Sequence, residues 1–144
     1  MRRSLIVSIA APLVLTAKLA HAQLMVVDGY VRGLPPGQSV TAAFMTLRNP
    51  ANREHVVTRA STSVAEKVEF HQHSHEGGMM RMRQVPALHI PAGGELHLAP
   101  GHLHLMLIGL RQVLGEGDTV AIELCSENSD CQSIELAVVS VLNE

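Results

Sequence analysis

The stretch DTVAIELCSENSDCQSIELAVV, residues 118–139, decides the fold. Val120, Ile122 and Leu124 alternate with Thr119, Glu123 and Cys125, and Ile134, Leu136 and Val138 alternate with Ser133 and Glu135. A period of two with one apolar and one polar face is the mark of a half-buried strand. Pairing Ile122 with Ile134 and Val120 with Leu136 sets Cys125 opposite Cys131 on the outer face, across the connection Ser126 to Asp130. Directly opposed residues in a ladder have the separation a disulfide requires. In an oxidising compartment that pair is expected as a staple rather than as a thiolate metal site.

The same grammar runs outward through the chain. Short runs rich in Val, Thr, Ile and Leu recur near 25–32, 40–49, 54–61, 65–72, 79–84, 95–99, 103–109, 118–125 and 133–141. Turn-forming breaks separate them, among them Leu34-Pro35-Pro36-Gly37, Asn49-Pro50, Glu76-Gly77-Gly78 and Gly115-Glu116-Gly117-Asp118. The pattern predicts an all-β sandwich or barrel.

At the N-terminus, Arg2 and Arg3 precede an apolar run, Leu5 to Ala17, that ends at Ala20-His21-Ala22. This reads as a secretory signal peptide, residues 1–22, with a small-x-small cleavage site. The run is shorter than the roughly 20 residues a membrane-spanning helix needs, so no membrane insertion of the mature chain is expected. Residues 23–144 are then one periplasmic domain with one core. Without Arg2, Arg3 and Lys18, 8 basic side chains face 13 acidic ones, a formal charge of −5. That balance disfavours nucleic acid. No Trp, one Tyr and two Phe offer no platform for stacked bases.

The unusual feature is a crowd of His and Met between His71 and Met106. In strand 65–72, His71 shares parity with Lys67 and Glu69, opposite Val68 and Phe70. In 102–107, His102, His104 and Met106 share one face and Leu103, Leu105 and Leu107 the other. Met80 and Met82 share a parity between them. His71, Met82, His104 and Met106 thus supply two imidazoles and two thioethers from three strand segments. Thioether sulfur is soft and neutral, so this set favours Cu(I) over Zn(II), Mg(II) or Mn(II). A thioether also needs no deprotonation and cannot be lost to a disulfide. Met25 and Met45 read as core or edge packing, and His55, His89 and His97 as surface residues.

These residues resemble the periplasmic copper chaperones called PCuAC. The family's His, Met, His, Met spacing is met by His71, ten residues, Met82, twenty-one residues, His104, one residue and Met106. Ala42-Ala43-Phe44-Met45-Thr46-Leu47, Ile90-Pro91-Ala92-Gly93-Gly94 and Leu105-Met106-Leu107 resemble it too. The resemblance implies a cupredoxin-like Greek-key β-sandwich with a solvent-near site for one Cu(I) per monomer. It also implies delivery of that copper to an acceptor, the CuA centre of cytochrome c oxidase or a copper-site assembly protein. The cysteine pair and the extra histidines His73, His75 and His102 depart from the family pattern. The run His71 to His75 reads either as an auxiliary site for weak Cu(II) or Zn(II) or as a polar loop of solvated histidines.

Three other readings compete. A blue-copper carrier needs a Cys thiolate with a His closely downstream, and no His follows His104. A zinc hydrolase would draw on His71, His73 and His75 with Glu76 as base. An interaction or adhesion module would carry His and Met incidentally. The chaperone reading makes and breaks no bond in a substrate, so no enzymatic activity is expected.

Overall fold

The structure, a computed structural model, describes residues 23–143, which form ten strands and no helix. They are β1 (Met25–Gly33), β2 (Val40–Arg48), β3 (His55–Ser61), β4 (Ala65–Glu76), β5 (Met79–Val85), β6 (Leu88–Ile90), β7 (Glu95–Leu98), β8 (Leu103–Leu110), β9 (Thr119–Ser126) and β10 (Cys131–Ser140). The expected signal peptide lies outside the described residues. Hydrogen bonds lead from β4 to β8, β2, β1, β10, β9 and β3, and Ala60 of β3 opposite Val68 of β4 closes the ring. The all-β sandwich therefore closes as a barrel. Beyond the ring, β5 extends β4, β6 lies on β3, and β7 takes over β2 at Met45 where β8 leaves it at Ala43.

Alternation fills the interior. Val120, Ile122 and Leu124 of β9 face Ile134, Leu136 and Val138 of β10, joined by Leu47, Val57, Leu105 and Leu107. Each such side chain contributes about 1.5–3 kcal/mol on burial. Ile122 pairs with Ile134, Val120 with Leu136, and Cys125 with Cys131, as the alternation predicts. The two cysteines are joined, with Cα atoms 4.1 Å apart. Cys125 is nonetheless buried rather than outward and wet. The reason is lateral: β3 flanks β9 on its other side, with Arg59 opposite Cys125.

Two polar or backbone devices hold the frame. Between Val27 and Tyr30 the β1–β2 register shifts, with Asp28 at φ 51°. There a Cβ on Gly29 would lie 2.5 Å from Leu136 Cδ2 and 2.9 Å from Val26 Cγ1, so only glycine lets β1 lie against the core. At the end of β2, buried Asn49 donates from Nδ2 to the carbonyls of Arg53, Ile90 and Pro91 and accepts from the Ala51 amide. It pins the 49–53 turn to the end of β6.

Two elements differ from the expectation. Strand β4 runs on to Glu76, so His73 and His75 lie in a ladder rather than in a polar loop. The partner supplies the reason: β5 folds back through Gly77 and Gly78, at φ 59° and 78°, and pairs every residue from Phe70 to Glu76. Strand β6 is only three residues long and is set off by Pro86 and Pro91. Its hydrogen bonds come from β3, which local pattern does not reveal.

Candidate metal centre

Neighbouring strands with matched register put the metal-capable side chains on one face. On β4 and β8, Phe70 opposes Leu105 and Val68 opposes Leu107 toward the core, so the intervening pairs His71–His104 and Glu69–Met106 point the other way. On β4 and β5, His73 opposes Met82 and His75 opposes Met80, again on that face. The four candidates His71, Met82, His104 and Met106 therefore share one surface. Met82 is one row displaced, beside His73 rather than beside His71.

His104 forms the floor, only 2% exposed, and Met82 the rim at 46%. The imidazole ring of His104 lies 6.2 Å from that of His71, 5.2 Å from that of His73 and 6.1 Å from the Phe44 ring, centroid to centroid. Arg32 stacks its guanidinium 5.0 Å from the Phe44 centroid, and Tyr30 packs against the same ring. The site is thus deeper at His104 than a solvent-near centre, and His73 belongs to its wall.

Hydrogen bonds assign the ring nitrogens. His104 Nδ1–H donates to the His102 carbonyl at 2.9 Å, which leaves the lone pair on Nε2. His71 Nε2–H donates to Glu69 Oε2 at 2.8 Å, which leaves the lone pair on Nδ1. That Nδ1 is buried and has no hydrogen-bond partner, and the same holds for Nδ1 of His73. A buried acceptor without a donor costs about 1–3 kcal/mol, and a metal ion bound there removes that cost. The carboxylate–imidazole and carbonyl–imidazole bonds are those that orient metal-binding histidines.

Charge favours neutral ligands. Burial pushes the His104 pKa below its ordinary value, the nearby His73, His71 and Arg32 push the same way, and the bond to the His102 carbonyl opposes them. Glu69 is held below the usual carboxylate range by its hydrogen bonds from Lys67 and from His71. Glu69 is the contributor that sequence reading passed over. Its signal was present, since it stands two residues before His71 on the same face.

The remaining candidates divide. His75 and His102 are exposed, and the part of His102 nearest the centre is its carbonyl. His71, His73 and His75 are strung along one strand over roughly 13 Å, too far for three imidazoles to converge on one zinc. Glu76 pairs with Met79 on the opposite face and bonds Arg83 at 2.5 Å. Glu123, Cys125 and Cys131 bring ligand atoms within 4.8 Å, but the two sulfurs are bonded to each other. Neither offers the thiolate a blue-copper site requires. Met45 is core and Met25 is exposed. His89 and His97 pair with Glu54 and Glu95 at the surface. His55 is half-buried in a groove of about 570 Å³ lined by Arg53 and Asp130, remote in sequence and strand from the His–Met face.

The LpqE-like family matches residues 24–138. The lipoprotein Lxx21020 of Leifsonia xyli subsp. xyli is 35% identical over 61% of this chain, and the chain spans about half (54%) of that relative's length. The solution structure of Cu(I)-bound DR1885 from Deinococcus radiodurans is 34% identical, with a TM-score of 0.66 over 86% of this chain and 85% of that one. The copper-bound PCuAC domain of PmoF2, at 19% identity, shares the fold, with a TM-score of 0.69 over 84% of this chain and 96% of that domain.

Proposed function

The chain belongs to the LpqE-like, PCuAC-type family, and we propose that it is an exported copper chaperone that carries one Cu(I) between His71, Met82, His104 and Met106. The observation that carries the reading is the pair of imidazoles set side by side across β4 and β8, with a buried, unpartnered Nδ1 on His71. Nδ1 of His71 and Nε2 of His104 are the ligating nitrogens. Met106, next along β8, and Met82, on the neighbouring hairpin, supply the sulfurs that select Cu(I). The Cu(I)-bound relative from Deinococcus radiodurans supports the choice of metal.

Function follows from the gradient of exposure. His104 holds the ion from below, while exposed Met82 lies where an acceptor can reach it. The acceptor's ligand replaces Met82 first and His104 last, so copper is never free in water. No bond within a substrate changes, and the protein is a carrier rather than an enzyme. The acceptor is a copper-receiving protein of the periplasm, the CuA centre of cytochrome c oxidase being the one the family resemblance implies.

Anaerobic titration tests this. The expected result is uptake of Cu(I) to a stoichiometric end point without intense blue colour on adding Cu(II), followed by passage of the metal to an apo CuA domain faster than a chelator alone removes it. Absence of Cu(I) uptake by the folded protein overturns the reading, and an interaction module with incidental His and Met then takes its place.

A further inference from the structure

Over its paired rows, the β4–β5 hairpin sets all of its imidazoles on one face and all of its charges on the other. On the face that holds the metal centre stand His73 opposite Met82 and, one step nearer the tip, His75 opposite Met80. On the other face stand Gln72 opposite Arg83, Ser74 opposite Arg81 and Glu76 opposite Met79, with Arg83 and Glu76 ion-paired. A hairpin needed only for solubility would carry charge on both faces. Here the paired rows from His71 to His75 carry three imidazoles, two thioethers and the Gln84 amide but no charge, and Met80 is 58% exposed.

From this juxtaposition of His75 with Met80, one step outward from His73 and Met82 on the same face, we infer a second, outer Cu(I) station at the tip of the hairpin. Directly opposed side chains in an antiparallel pair have Cβ atoms about 5 Å apart, close enough for one imidazole nitrogen and one thioether sulfur to share an ion. Successive same-face rows are about 7 Å apart. His73 stands in the row between the outer pair and the inner centre, its ring 5.2 Å from His104 and its Nδ1 buried without a partner. Copper moves by ligand exchange along these rows: a bond to His73 forms as the bond to His75 or Met80 breaks. The ion stays Cu(I) throughout and no electron or proton is consumed. Two ligands hold more weakly than four, so the outer station fills second and empties first. The inference rests on the Cu(I) reading of the inner centre only for the metal's destination.

The experiment is an anaerobic Cu(I) titration of the full protein with methyl-labelled methionine, followed by NMR and by a chromogenic Cu(I) chelator. The first equivalent is expected to move the methyl signals of Met82 and Met106, and the second that of Met80. His75→Gln and Met80→Leu, both on the exposed tip, are each expected to lower uptake from two equivalents to one while leaving the first-equivalent shifts unchanged. A Met80 signal unmoved at two equivalents, or a second equivalent retained by both variants, overturns the outer station. Failure of the inner reading looks different: Met82 and Met106 stay unmoved at every equivalent, whatever Met80 does.

Discussion

Replacing His104 with Ala and, separately, Met106 with Leu separates the two ligand types by their response to acid. An imidazole must shed its proton to ligate, whereas a thioether has none to lose. Below the pKa of a ligating imidazole, apparent affinity falls tenfold per pH unit, because each unit costs 1.36 kcal/mol of deprotonation. With His71 and His104 both ligating, the wild-type slope should approach a hundredfold per unit in acid. Burial holds His104 below its ordinary range, so its share of the slope appears at lower pH than an exposed imidazole would give. His104→Ala leaves one competing imidazole and a slope of at most about tenfold per unit. Met106→Leu conserves volume and weakens binding while the steep slope remains. Removing the buried His104 imidazole also takes one donor from the His102 carbonyl, which keeps the His73 amide as its partner, and empties the floor beside Phe44. Circular dichroism of the metal-free variant at each pH must therefore accompany the assay. That assay is competition against a Cu(I) chelator at pH 5, 6 and 7. Equal slopes for wild type and His104→Ala, or a flattened slope in Met106→Leu, would refute the assignment of His104 as a titrating ligand.

Cys125→Ser with Cys131→Ser should lower stability by about 2 kcal/mol, the loop-closure entropy of so short a ring, and leave Cu(I) affinity unchanged. Urea unfolding and the same chelator competition measure the two effects, and a loss of affinity would tie the staple to the metal centre. Asn49→Ala leaves the carbonyls of Arg53, Ile90 and Pro91 without their shared donor and should cost about 2–3 kcal/mol. A midpoint in urea equal to that of wild type would mean that water replaces the amide at no cost.

Where alternation was clean, the sequence could be read almost to the residue. Ile122, Ile134 and the cysteine pair fix the β9–β10 register because a slip of one would turn every leucine outward. His102, His104 and Met106 announce their shared face for the same reason. What local pattern could not carry was lateral neighbourhood. Whether His73 or His71 lies nearer His104 depends on how β4 and β8 meet, and the ring distances of 5.2 and 6.2 Å come from that meeting. The extension of β4 through His73, Ser74 and His75 was hidden because none of these is a strong strand former, and β5 stabilises the strand from outside it. Ring closure between Ala60 and Val68 rests on a single opposed pair, which no periodicity signals.

The first strand and the last lie side by side. Parallel pairing sets Tyr30 beside Ala137 and Val31 beside Val138, and the Gln132 side chain exchanges two hydrogen bonds with the backbone of Leu24, 108 positions earlier. During synthesis from the N-terminus, β1 emerges with one flank open and waits for almost the entire remaining chain before that flank is covered. Strand β10 is the keystone, since it seats between β1 and β9 and closes two gaps at once. A chain halted before Cys131 would therefore present two long unpaired edges, where one missing terminal strand of an open sheet would present one.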